Sequence, residues 1–170
     1  LSFFATNASY NWEGSYGLSA SGANDNKKTN GGIYRTGTAS TSIDSTIRFF
    51  QYVTAGDDDE PCTQFAVQSS GQNYAVCLDQ YPDDIVAISK NVTSNSDDGP
   101  AQEIATTSVT YSTGWYEVEI DWLSSDNSIN VTVYDDTGSV FATTSATDST
   151  YDSGGMGFSF WFQSEGWDFY

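Results

Sequence analysis

The stretch from Gly114 to Trp122, GWYEVEIDW, alternates without a break. Tyr116, Val118, Ile120 and Trp122 fall on one side of an extended chain, and Trp115, Glu117, Glu119 and Asp121 on the other. A period of two suits a strand with one buried face; wound as a helix, it would scatter the apolar residues around the axis. The same period recurs along the chain. It predicts strands over Tyr16–Ala20, Gly32–Thr36, Ile43–Val53, Thr63–Val67, Tyr74–Leu78, Ile85–Lys90, Glu103–Thr107, Trp115–Trp122, Ile129–Tyr134, Val140–Thr144 and Met156–Phe162, with a last strand from Trp167. No segment carries a convincing helical period. Many short strands divided by polar turns predict an all-β fold, an antiparallel sandwich or barrel.

The polar loops TAGDDDEP (Thr54–Pro61), SNSDDGP (Ser94–Pro100) and SGANDNKKTNGG (Ser21–Gly32) run straight into strand-like sequence on both sides, so none divides the chain. Residues 1–170 are expected to form one β-sandwich domain, of a size that also suits one module of a longer protein. The 23 acidic residues against 5 Lys and Arg, with no His, give a formal charge of −18. Such a surface repels nucleic acid and anionic membranes. No apolar run is long enough to span a bilayer. Low hydrophobicity and high charge can mean disorder; an aromatic content of 15% argues for a packed core instead. The excess of Asp and scarcity of Lys match the composition of halophile proteins, because at ~1 M salt the Debye length falls to roughly 3 Å and self-repulsion fades. An acidic secreted protein of a mesophile is the alternative.

CTQFAVQ-SSG-QNYAVCLD predicts a hairpin turning near Ser69–Gly71. Phe65, Val67, Tyr74, Val76 and Leu78 would then share the inward face, and Cys62 and Cys77 the outward one, placed to form a cross-strand disulfide. Closing such a loop contributes about 3 kcal/mol in the chain-entropy model. Asn7, Asn91 and Asn130 each begin a glycosylation sequon. Pairable cysteines and sequons point to an extracellular, cell-surface or virion-surface setting.

The run Gly114–Thr144, a Trp-led strand followed by a hairpin ending in YDDTG, resembles the concanavalin A-like lectin/glucanase superfamily, and within it the laminin-G-like branch. GGMGFSFWF at Gly154–Phe162 and WDFY at Trp167–Tyr170 resemble late strands of such domains. NWEGSYGLSASG and GGIYRTG resemble the opening strands of related modules on microbial surface proteins, and with the acidic composition this suggests a haloarchaeal cell or virus. The resemblance implies a two-sheet antiparallel jelly roll with its terminal strands close together. Its members bind glycans or proteins, cleave polysaccharides, or serve as surface architecture, and a fold does not choose among these.

Glycoside hydrolases of that superfamily place Glu-x-Asp-x-Glu on one strand. Glu117-Val118-Glu119-Ile120-Asp121 keeps the spacing but exchanges the middle and last residues. Asp121 is one methylene short for an acid/base, and the outer carboxylates of a retaining enzyme must stand about 5–5.5 Å apart. Without His, Ser-His-Asp and Cys-His systems are excluded. A non-enzymatic module is therefore expected. Calcium, which takes several hard oxygens, has its densest candidate at Asp57, Asp58 and Asp59, with Ser96–Gly99 and Tyr134–Gly138 behind. Trp12, Tyr34, Trp115 and Trp161 are candidates for stacking on sugar faces, which makes a glycan or cell-surface glycoprotein the expected partner. The alternative is a structural subunit of a filament or virion, assembled through the terminal strands, among them LSFFA at Leu1–Ala5.

Overall fold

A computed structural model describes residues 4–7, 17–20, 30–34, 41–55, 61–79, 84–92, 102–161 and 165–168, with side chains over 41–55, 61–78, 84–92 and 102–158. It is all strand: β1 (Phe4–Asn7), β2 (Gly17–Ala20), β3 (Asn30–Tyr34), β4 (Thr41–Ser42), β5 (Ser45–Val53), β6 (Cys62–Val67), β7 (Tyr74–Asp79), β8 (Ile85–Lys90), β9 (Glu103–Ser108), β10 (Gly114–Leu123), β11 (Ser128–Tyr134), β12 (Val140–Thr147), β13 (Ser153–Trp161) and β14 (Glu165–Asp168). Every described pairing is antiparallel. The first sheet runs β1-β2-β14-β5-β10-β11-β12, and the second β3-β13-β6-β7-β8-β9, with β4 joined to β13. The expected two-sheet sandwich is the observed one. β14 is paired on both edges, by β2 and β5, so it has no edge to lend to a neighbouring copy, and β1 pairs with β2.

Alternation builds the core. Tyr116, Val118, Ile120 and Trp122 of β10 point inward beside Ile47, Phe49 and Val53 of β5 and Ile129, Val131 and Val133 of β11. Phe65, Tyr74, Val76, Leu78, Val86 and Ile88 meet them from the second sheet. The edges β9 and β12 close on one another, where the Thr107 hydroxyl donates to the Thr143 carbonyl at 2.9 Å.

Three local features depart from simple alternation. The run expected as one strand over Ile43–Val53 is broken at Asp44, whose φ is +64°. There the chain leaves β13 of the second sheet and enters the first. The Asp44 carboxylate anchors the corner by accepting from the Ser124 backbone N–H at 2.8 Å and the Ser124 hydroxyl at 2.7 Å. The second departure is at Ala66, with φ +52°, opposite a register shift between Gly155 and Gly157. This bulge carries Ala66 into the core in place of the expected Val67.

The third departure concerns the cysteines. Cys62 and Cys77 are directly opposed and disulfide-bonded, on the face turned away from the core as expected. That face is nevertheless closed: Cys62, Gln64, Ala75, Cys77, Ala87 and Ser89 are all buried.

β13 can pass the Ala66 bulge because residue 154 has no side chain. A Cβ on Gly154 would stand 2.7 Å from both the Ala66 carbonyl oxygen and the Val67 nitrogen. Backbone cannot yield as a side-chain tip can, so Gly154→Ala should destabilise by about 2 kcal/mol or more, within the range of overpacked sites. Gly114→Ala, where a Cβ meets nothing within 4 Å, should be near neutral. Urea melts of both variants check this; equal midpoints would contradict it.

Candidate functional site

Over β5, β10, β11 and β12 the outward face of the first sheet is more open than that of the second over β6, β7 and β8. Its rungs follow from register. Tyr52 of β5 opposes Trp115 of β10. Phe50, Glu117 and Tyr134 form the next rung, then Arg48, Glu119, Thr132 and Thr143, then Thr46, Asp121, Asn130 and Ser145. Thr46, Arg48, Thr143 and Ser145 are exposed; Phe50 is buried, and the rest are half-buried. Trp115 meets Tyr52 edge-on, ring centroids 5.4 Å apart at 74°.

Partners hold the carboxylate row. Glu119 forms an ion pair with Arg48. Asp121 accepts from the Thr46 hydroxyl at 2.6 Å. Beside it, Asn130 accepts from the Ser145 hydroxyl at 2.9 Å and donates to the Ser128 hydroxyl at 3.0 Å. The Arg48–Glu119, Thr46–Asp121 and Ser145–Asn130 contacts cross between strands and lock them together. Each ionised carboxylate still has lone pairs to accept from a ligand hydroxyl.

The four aromatic candidates do not share one sheet. Trp115 lies in the first, Tyr34 and Trp161 belong to β3 and β13 of the second, and Trp12 lies outside the described residues. Asp57, Asp58, Asp59 and Ser96–Gly99 also lie outside them, and among the described residues no cluster of three His, Cys, Asp or Glu is placed to hold a metal. In YDDTG, Asp135 is a turn cap: it accepts from the Thr137 N–H at 2.9 Å, the Thr137 hydroxyl at 2.6 Å and the Ser139 N–H at 3.0 Å, bonds that hold its carboxyl below the usual range. Of the sequons, Asn7 sits in β1, Asn130 in mid-strand on the open face, and Asn91 at φ +60° accepts from the Tyr151 hydroxyl at 2.7 Å.

Sequence reasoning missed a polar network at one end of the sandwich. Tyr74 crosses from the core, and its hydroxyl donates to Asp148 at 2.5 Å. Lys90 Nζ reaches the other Asp148 oxygen at 2.5 Å and the Thr150 hydroxyl at 2.9 Å. The Thr150 N–H donates to Asp148 at 2.8 Å. Burial pushes the Asp148 carboxyl upward, but bonds from Lys90, Thr150 and Tyr74 outweigh it and leave it well below the carboxylate range. Burial, then the bond to Asp148, pushes the Tyr74 phenol up to about 12. Asp148 follows a Thr- and Ser-rich strand with no motif around it, so only the fold could reveal this partner set.

No protein-family model matches the chain, and no curated protein does either. Solved structures do. Lectin I-B4 of Griffonia simplicifolia, in a metal-free form, covers 98% of this chain and 92% of its own at 11% identity, with a TM-score of 0.55. Basic winged bean lectin with Tn-antigen covers 97% and 91% at 11% identity, TM-score 0.53. Lectin I of Ulex europaeus, complexed with the methyl glycoside of α-L-fucose, covers 98% and 91% at 11% identity, TM-score 0.53. The chain therefore has the legume-lectin-like jelly-roll fold of the concanavalin A-like class, and at this identity the likeness is one of fold alone.

The network makes a pH prediction. Because the Asp148 carboxyl is depressed, its contribution to stability is whole above its unfolded value near 3.8 and fades as pH falls through the folded value. Because the Tyr74 phenol is raised, its contribution is whole below about 10 and fades as pH rises through about 12. Asp148→Asn should cost about 1.5–3 kcal/mol at neutral pH, the range for charge-assisted bonds, and that cost should shrink on acidification. Thermal melts from pH 7 to pH 2 test it; a difference from wild type that does not change with pH would contradict the assignment.

Proposed function

We propose that this chain is a non-enzymatic glycan-recognition module working outside the cell. The observation that carries the reading is the half-buried Tyr52–Trp115 pair, set on an open sheet face beside carboxylate, amide and hydroxyl side chains. Sugar rings present an apolar C–H face and a rim of hydroxyls, and a ligand site combines such an aromatic surface with a few placed polar groups. Two proteins of the same fold, the winged bean and Ulex lectins, are described with Tn-antigen and with the methyl glycoside of α-L-fucose. The engagement of Glu119 by Arg48 and of Asp121 by Thr46 supports binding over hydrolysis. The Cys62–Cys77 disulfide supports an oxidising, extracellular setting. The net charge of −18 supports a saline one.

A glycan array probed in ~1 M salt, where the Debye length is about 3 Å, with calcium and with chelator, should show carbohydrate binding. Trp115→Ala should weaken that binding about tenfold or more, equivalent to about 1.4 kcal/mol. Its melting temperature should fall somewhat, since the indole is half-buried against Tyr52, so binding is compared well below both midpoints. The absence of any carbohydrate signal, or unchanged binding by Trp115→Ala, would overturn the reading.

A further inference from the structure

Resting on the glycan-recognition reading, we infer that the ligand is an extended, uncharged polysaccharide chain lying along β10, rather than a terminal sugar or an anionic polymer. The two outward faces differ in how far their side chains are covered. On the second sheet the outward side chains of Cys62, Gln64, Ala75, Cys77, Ala87 and Ser89 are buried, with Ile85 half-buried against them. On the first sheet the outward side chains of β5, β10, β11 and β12 remain reachable over four consecutive rungs, save Phe50.

The shape of that surface is a strip. From Trp115 to Asp121 is six residues, which at ~3.3 Å each extends about 20 Å along the strand. The strip is about 14 Å wide across four strands spaced ~4.8 Å apart. Its chemistry changes along its length. The Tyr52–Trp115 end offers aromatic surface. The rungs beyond it offer Thr132, Thr143, Thr46, Asn130 and Ser145, all hydroxyl or amide groups. One sugar ring stacked at the aromatic end would leave these rungs untouched; a chain of several sugars would reach them.

Charge selects among chains. The described side chains of this face include three carboxylates, Glu117, Glu119 and Asp121, against one guanidinium, Arg48, which already pairs with Glu119. The whole chain adds a charge of −18. A uronate or sulfated polymer would meet repulsion from the described carboxylates of the strip, whose one described cation is held by Glu119, whereas neutral hydroxyls can donate to the carboxylates.

The test is a length ladder. Linear neutral glucan, mannan and galactan oligosaccharides, from monosaccharide to about octasaccharide, are titrated calorimetrically, with polygalacturonate as the anionic comparison. For the polymer that binds, affinity should rise at least about tenfold with length, or about 1.4 kcal/mol, and then level off once the strip is spanned. Polygalacturonate should bind more weakly at low salt than at high. Equal affinity for the monosaccharide and the longest oligosaccharide would overturn the extended-chain inference while leaving glycan recognition intact. Preferred binding of polygalacturonate at low salt would overturn the charge selection. Binding to none of them, neutral or anionic, would remove the glycan reading itself, and this inference with it.

Discussion

The sandwich depends on one inter-sheet contact. Trp122 of the first sheet is fully buried and meets Phe65 and Tyr74 of the second edge-on, with ring centroids 5.4 and 5.9 Å away. Edge-to-face aromatic packing of this kind adds about 0.5–1.5 kcal/mol per pair beyond burial, and it sets the distance and register between the sheets. With Trp122 inside, strand parity puts Ile120, Val118 and Tyr116 inside as well. The outward position of Trp115, Glu117, Glu119 and Asp121 follows from it. Tyr74 extends the same contact outward, because the ring packed on Trp122 carries the hydroxyl that donates to Asp148. Core packing and surface electrostatics are thus coupled through a single phenol.

The alternation of β10 and the pairing of Cys62 with Cys77 were legible in the sequence because each is local. Period two is visible in any window, and a short hairpin turning at Gly71 leaves few registers. The break at Asp44 was not legible. Its partner Ser124 lies eighty residues away, and Ile43–Val53 reads as one apolar run until the fold sends its two parts to different sheets. The Ala66 bulge was hidden for the same reason, since it depends on Gly154 of a distant strand. The candidate face was half legible. Parity placed Trp115 outward, but Tyr52, Arg48 and Thr46, which orient that row, could be assigned only when β5 was seen beside β10. Trp115, Tyr34 and Trp161 looked like one aromatic set in sequence and were parted by topology.

The two sheets have divided their tasks. Around β6, β7 and β8 the second is closed on both faces, with small side chains, Ala75, Ala87 and Ser89, around the buried disulfide. The first, over the described side chains of β5, β10, β11 and β12, is closed on one face only. Its open side carries polar groups held by cross-strand bonds, so they are already oriented, which lowers the ordering cost of binding. A face built in this way resists disturbance by solvent yet keeps acceptors available, and that combination is what recognition of a hydroxyl-rich ligand needs.

The most direct test of this account is a chemical-shift map of isotope-labelled protein titrated with the tightest-binding oligosaccharide. The account predicts perturbation of the Trp115 indole and Tyr52 ring, extending through Thr132 to Asn130 and Ser145. Perturbation confined to residues of the second sheet, with the Trp115 indole unmoved, would contradict it.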